Sequence, residues 1–397
     1  AALLSQTLFE SLVLIEEALS DRLAPVCWPL DFLFNGFLPA LTCIISIMLP
    51  SLAIAFFLFT LLDEAGFLPR ISFYGDRLLR PWGVCGSQSL VMSKSAHCHM
   101  AGILESRRIQ SPRERLAALL TTCLIPCSGR IPTLLAIAAL AGTVGFSAAP
   151  LPPAIYFVPF IPACFMAVVF LLPGFLAALC TSFLLSRTAL KQLPSAFVLE
   201  LPQLHRPRLI TSVIPSAWNH TCLFIGRAGA SALLAGFFIW LLSHTSVNGS
   251  TLLDQCIRLL EPVGSFLGLD GVIVTAFLLA TPANEITMPL MILIYLSQNH
   301  TLNASASVPA NAIANTAAIF SVRSIAELSD LLALHGWNWH RALSVVILTL
   351  FHWPCLPSLQ MIHQETKSLK WTATAFLLPS LLGISLCALF HGILLLF

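Results

Sequence analysis

Trp371–Phe397 reads WTATAFLLPSLLGISLCALFHGILLLF, without one Asp, Glu, Lys or Arg. As an α-helix it would be about 40 Å long at ~1.5 Å per residue. That exceeds the roughly 30 Å hydrocarbon core of a bilayer, so lipid is the solvent that suits it. Working outward, further apolar stretches cover Phe37–Leu62, Leu116–Gly142, Ile155–Leu185, Trp218–Leu242, Gly271–Leu296 and Arg341–Ile362. The chain of 397 residues is 57% hydrophobic and only 10% charged, with a mean hydropathy of +0.88. A soluble domain carries about 25% charged residues. The sequence predicts an all-α, polytopic helical membrane protein.

A net charge of +2 argues against a nucleic-acid partner. The 12 cysteines fall mostly inside apolar runs and show no disulfide framework. Residues 1–36 read as an external, amphipathic N-terminal segment. Glu10, Glu16, Glu17, Asp21 and Arg22 do not fit a signal peptide.

Prolines interrupt most of the apolar stretches: Pro50, Pro126 and Pro132, Pro159, Pro162 and Pro173, Pro282 and Pro289, Pro354 and Pro357. Proline removes an N–H, frees a carbonyl and bends the helix. Lipid tolerates that only where protein or a water-filled cavity satisfies the backbone. Any one proline reads as a kink. The set, with cysteine beside two of the breaks, reads as the broken helices from which transporters build ion sites. Arg115 opens a run leading to Pro126-Cys127, and Arg341 opens another leading to Pro354-Cys355, a weak internal repeat.

Charge placement predicts the orientation. Arg70, Arg77 and Arg80, then Arg107, Arg108, Arg113 and Arg115, then Arg187, Lys191, Arg206 and Arg208, then Lys367 and Lys370 hold most of the 20 basic residues. One alternating topology puts them all on one side, which the positive-inside rule makes cytoplasmic. Ser87–Glu105 and Gly271–Leu296 must then be re-entrant, and 244–266 and 297–340 are external loops.

The residues able to carry chemistry lie at these interruptions. His97-Cys98-His99-Met100 puts two imidazoles, a thiol and a thioether in four positions. Such ligands suit borderline or soft metals rather than Mg²⁺ or Ca²⁺. Cys127 and Cys355 follow prolines at the repeat-related breaks. Glu285 is the only charged residue in Gly271–Leu296, and an intramembrane carboxylate is by default a functional candidate. It could instead pair with a buried arginine such as Arg130 or Arg227. These residues point to metal passage through a pore: Cys98, Cys127, Cys355, His97, His99, Met100 and Glu285. Enzyme readings are thin. No His-Glu-x-x-His motif occurs, His363-Gln364-Glu365 lacks the second histidine, Gly145-Phe146-Ser147 lies in an external turn, and no P-loop is present.

Several motifs resemble a known family. Asp63-Glu64-Ala65-Gly66-Phe67 with Arg70 and Asp76-Arg77-Leu78 resembles the "E-D-S-G-Y-x-x-R…D-R" stretch of the ferrous iron transporter FeoB family. Arg107 with Pro112-Arg113-Glu114-Arg115-Leu116 is similar to its "A-R…R-E-R-L", and Pro126-Cys127-Ser128-Gly129-Arg130 to its "S-C-S-A-R". Leu199-Glu200-Leu201-Pro202 before Arg227-Ala228-Gly229, Asn284-Glu285-Ile286, and Trp353-Pro354-Cys355 through Glu365 continue the series in order.

The resemblance implies two gate-type repeats, 37–186 and 216–397, joined by a cytoplasmic linker at 187–215 and flanking a pore. It places Cys98, Cys127 and Cys355 on the family's gate cysteines, implicated in passing Fe²⁺. It implies a multi-pass protein of the bacterial inner membrane with Fe²⁺ as transported substrate, no permanently bound cofactor and no enzymatic activity of its own. A GTPase domain, separate or upstream, is an expected partner, because the family's amino-terminal GTPase domain and first spanning helix have no counterpart in this sequence. A homo-oligomer is compatible with it. The family's "G-C-N-V-P" is His97-Cys98-His99-Met100-Ala101 here, which opens Zn²⁺ or Cu⁺ as cargo. The alternatives are a gate-type permease for an organic solute such as a nucleoside, and a membrane scaffold.

Overall fold

Pro39 in its first turn starts a long apolar helix, α1 (Leu38–Glu64). Gly66 ends it in the left-handed region (φ 74) and turns the chain, so that α2 (Phe67–Leu79) lies at 80° to the second half of α1. The structure is a computed structural model. It describes residues 7–9, 11–12, 32–33, 37–131, 133–137, 160–188, 212–247, 250–302, 332 and 335–396. Most of the N-terminal segment and of the 187–215 linker, with Gly145-Phe146-Ser147, Leu199–Pro202 and Arg206, lies outside the described residues.

Beyond α2 come α3 (Gly86–Ser95) and α4 (His99–Glu105), which fold back on one another. A Cβ at Gly102 would strike Ser95 Oγ, so the missing side chain is what lets the two helices touch. α5 (Pro112–Thr122) starts at Ser111, whose Oγ accepts from Glu114 N, with Pro112 in the first turn. It ends at Thr122, and the chain is helical again over 133–137. α6 (Phe160–Arg187) closes this half.

The second half repeats the order. α7 (Ile214–His244) corresponds to α1, and a short hairpin of β1 (Ser246–Val247) and β2 (Ser250–Thr251) leads into α8 (Leu252–Phe266). α9 (Gly271–Leu279) leaves α8 at 110° and is capped by Asp270 Oδ1, which accepts from Ile273 N at 2.8 Å. α10 (Thr287–Leu302), α11 (Trp339–Phe351), α12 (Leu356–Thr366) and α13 (Leu369–Leu396) complete it. The correspondence reaches single hydrogen bonds. Gly86 N donates to Asp76 Oδ1 at 2.9 Å, and Gly271 N donates to Glu261 Oε2 at 2.7 Å. In both cases the acceptor lies ten residues upstream, on the surface helix before a short buried one.

Three expectations change. The 244–266 stretch is not a loop: its second half is α8, whose period-3.6 pattern buries Leu253 and Ile257 and exposes Leu259, Val263 and Phe266. α2 likewise exposes Phe67, Ile71 and Tyr74 and buries Leu68, the pattern of a helix lying in a membrane interface. Leu116–Gly142 and Arg341–Ile362 are broken at Pro126 and Pro354, as their prolines suggest, whereas Pro50 and Pro173, read as interruptions, lie inside the continuous helices α1 and α6. The repeat seen at the two breaks extends to the other helices of each half.

The long helices form the outer layer. α6 exposes Leu172, Leu176 and Leu184, α7 exposes Trp218, Leu223 and Phe238, and α13 exposes Leu377, Leu381 and Leu389. Exposed apolar area of this extent on a folded chain is a lipid-facing surface. Among the described residues three helical stretches are long and apolar enough to cross a membrane, or up to five if each bent pair counts as one. The short helices α3, α5 and α9 are largely buried inside this layer.

The re-entrant expectation for α9 and α10 has geometric support. Tyr295, halfway along α10, donates to Asp270 at the start of α9 at 2.5 Å, so the chain returns to the level it left. In the first half, Arg108 after α4 pairs with Asp63 at the end of α1 at 2.5 Å, with the same consequence for α3 and α4. That ion pair raises the Arg108 guanidinium above its ordinary range. Arg107 and Arg115 both pair with Glu365 at the end of α12, and Arg113 donates to Ser186 O at the end of α6. The arginines of this half thus share one face of the molecule.

Candidate functional site

Each half has two interrupted helices, and each interruption has a local cause. Pro126, Pro282 and Pro354 supply no N–H, so each removes one bond from the helical ladder at its break. The break between α3 and α4 has no proline; there Cys98 is extended (φ −148, ψ 125). Within each half the two breaks are joined through their backbones. Ser128 N and Oγ both donate to His97 O, at 3.1 and 2.7 Å, and Leu356 N donates to Thr281 O at 3.0 Å. Ser128 and Leu356 are the residues directly after Cys127 and Cys355, so the same staple occurs twice.

Arg130 links the halves. It is 1% exposed, and its guanidinium donates to Leu350 O at 2.9 Å, His352 O at 3.1 Å and Trp353 O at 3.3 Å. These carbonyls are the orphan acceptors at the end of α11, which lipid could not satisfy. Arg130 is therefore spent on the backbone and makes no hydrogen bond to Glu285 among those described; the Arg227 side chain lies outside the described residues.

The four breaks meet around one cavity of about 50 Å³. All seven residues singled out from the sequence line it: His97, Cys98, His99 and Met100 from the first break, Cys127 from the second, Glu285 from the third and Cys355 from the fourth. The three thiols, distant in sequence, face a common space. Ser51 of α1, Ser231 of α7 and Asn284 also line it; the sequence reading did not select these. Two serines on long helices leave no sequence signal. Asn284 was visible only as the neighbour of Glu285.

The lining holds buried polar atoms with no hydrogen-bond partner among the described residues: His97 Nε2, His99 Nδ1, and both Oδ1 and Nδ2 of Asn284, which is 3% exposed. Such atoms are costly unless water, an ion or a ligand meets them. Gly129 admits Glu285: a Cβ there would overlap Glu285 Oε1 and lie 2.7 Å from its Cδ. Cys355 Sγ and Ser358 Oγ are 3.0 Å apart. Among the described residues no three His, Cys, Asp or Glu side chains stand together closely enough to hold a metal ion. The donors surround a space without forming a closed coordination shell.

A helical membrane protein whose two halves each contribute two broken helices to a central cavity has the architecture of a gate-type membrane protein. The family description "Nucleoside recognition", termed Gate, matches residues 45–142 and 225–369, and "Ferrous iron transport protein B C terminus" matches residues 155–219. The chain belongs to the FeoB family and carries its gate domain. It is 26% identical over 376 residues to a Fe(2+) transporter FeoB of Staphylococcus aureus, covering 91% of this chain and 49% of that protein. A Fe(2+) transporter FeoB of Leptospira biflexa is 26% identical over 374 residues, covering 89% and 49%. That of Methanocaldococcus jannaschii is 25% identical over 316 residues, covering 74% and 44%. The chain spans about half the length of the curated relatives it matches. No solved structure matches it.

Proposed function

We propose that this chain passes ferrous iron across a membrane through the cavity between its four helix breaks. The observation that carries the reading is the convergence of Cys98, Cys127 and Cys355, from three separate breaks, on one buried space with Glu285. Thiolate and imidazole ligands favour borderline metals, and a carboxylate oxygen suits Fe²⁺ better than Cu⁺. A lining with no ready-made closed shell fits transport, which needs an ion to enter and also to leave. The relatives' shared name, Fe(2+) transporter, points the same way.

Fe²⁺ is then a passing substrate. The arginine-bearing face is the cytoplasmic one by the positive-inside rule, in a bacterial inner membrane. A GTPase domain, separate or upstream, would couple energy to the passage, because the chain itself has no P-loop. The nucleoside reading draws on the family description "Nucleoside recognition". The cavity favours the ion: about 50 Å³ is far below the roughly 300–1,000 Å³ of sites for organic ligands.

Downhill Fe²⁺ entry into proteoliposomes loaded with a ferrous chelator tests the proposal without an energy source. Cys98→Ser, Cys127→Ser and Cys355→Ser are each expected to slow entry. A triple serine variant that admits Fe²⁺ at the wild-type rate would sink it.

A further inference from the structure

We infer that His99 is a metal ligand through Nδ1 and that it makes Zn²⁺ a cargo of this cavity, preferred in binding over Fe²⁺. The inference rests on the cavity being the metal pathway and adds a second ion to the Fe²⁺ proposed above. His99 is 1% exposed and lines the cavity. Its Nε2 lies 2.7 Å from the carbonyl oxygen of Ile125. A carbonyl oxygen can only accept, so Nε2 carries the proton. In the neutral ring Nδ1 is then a bare lone pair, and it has no partner among the described residues. A metal-binding histidine commonly has this arrangement: one ring nitrogen donates to a backbone carbonyl, which fixes the tautomer and leaves the other for the ion.

The carbonyl is free for this role because of the break. Pro126 follows Ile125, and α5 has already ended at Thr122, so the chain here is outside a continuous helical ladder. His97 Nε2, two residues away and lining the same cavity, is also buried with no partner among the described residues. Two nitrogen donors beside three thiols make a mixed nitrogen and sulfur lining. At such sites affinity rises from Fe²⁺ to Zn²⁺ in the Irving–Williams order.

The test uses the purified full chain in detergent, with Co²⁺ as the spectroscopic probe and Zn²⁺ or anaerobic Fe²⁺ as competitor. Zn²⁺ is expected to displace Co²⁺ at lower concentration than Fe²⁺ does. His99→Asn should weaken Zn²⁺ by at least about tenfold and leave Fe²⁺ within a few-fold, with thiolate-to-cobalt charge transfer retained. Equal effects on both ions, or none, overturn the inference while the charge-transfer band upholds the thiol-lined cavity. A triple serine variant that binds Co²⁺ as wild type does overturns the proposed pathway itself. Should His99→Asn not fold, X-ray absorption of the Zn²⁺-loaded wild-type chain decides. Imidazole outer-shell scattering beside a sulfur shell is expected, and a shell of sulfur alone overturns the role of His99.

Discussion

Gly129 and Arg130 are adjacent and do opposite work, which two substitutions separate. A methyl at Gly129 would overlap the Glu285 carboxylate, whose outer atoms can rotate away. Gly129→Ala should therefore fold but turn Glu285 out of place. Fe²⁺ entry should fall by about tenfold, the equivalent of ~1.4 kcal/mol for one lost ligand, as in Glu285→Gln. Proteoliposome uptake checks this, and wild-type entry by both variants would remove Glu285 from the pathway. Arg130→Met leaves three carbonyls of the α11 end without donors. Each buried acceptor so stranded costs ~1–3 kcal/mol, so a stability loss of roughly 3 kcal/mol or more is expected in denaturant titration of the detergent-solubilised chain. Arg130→Lys should recover only part, since an ammonium is a point donor and not a fork.

The two surface helices α2 and α8 each hold the start of a short buried helix through one carboxylate and one glycine. A Cβ at Gly86 would overlap Ser72 O, and one at Gly271 would overlap Ile257 O. Backbone oxygens cannot rotate aside, so Gly86→Ala and Gly271→Ala should each cost about 1–3 kcal/mol, the range for overpacking. Asp76→Ala and Glu261→Ala remove the acceptor for the same glycine N–H and should cost ~1 kcal/mol each. Melting curves of the four variants test whether the halves are equivalent. Matched losses within each pair support the repeat, and a loss confined to one half would show that the likeness is only geometric.

At the scale of the molecule, the arginine face ties the turn after α4 to α5 and α12 through Glu365, whose side chain is 7% exposed and pairs with both Arg107 and Arg115. Arg107 is 59% exposed, so solvent screens much of its share. Exposed pairs hold roughly 1 kcal/mol or less. Glu365→Gln should therefore raise the rate at which a polar thiol reagent reaches Cys98 and Cys355 from that face by up to about fivefold. High salt should produce part of the same change in the wild-type chain. An unchanged labelling rate would mean that these pairs do not bar the cavity. The same assay in intact cells checks orientation. A cysteine replacing Arg107 should be closed to an impermeant reagent outside, and strong external labelling would invert the topology.

The membrane class follows from the sequence alone because it is a property of composition and length: uncharged segments longer than the hydrocarbon core leave few other solvents. Three of the four breaks were legible in part, marked by Pro126, Pro282 and Pro354. But Pro50, Pro173 and Pro379 lie inside continuous helices and the break at Cys98 has no proline, so a missing N–H alone does not say where a helix ends. The donor types at His97–Met100, Cys127, Glu285 and Cys355 were legible too. The helices α2 and α8 were missed because their apolar content is too low for a span, and only the 3.6-residue pattern marks them. What the tertiary structure alone decided is which breaks face one another. Ser128 N to His97 O and Leu356 N to Thr281 O join residues 31 and 75 positions apart, and Arg130 reaches residues about 220 positions away. Nothing in local propensity encodes such separations; the backbone groups freed at one break are satisfied by another, and lipid permits no other partner. The bare Nδ1 of His99 arises in the same way, because the carbonyl that takes the proton of Nε2 is brought to it by folding.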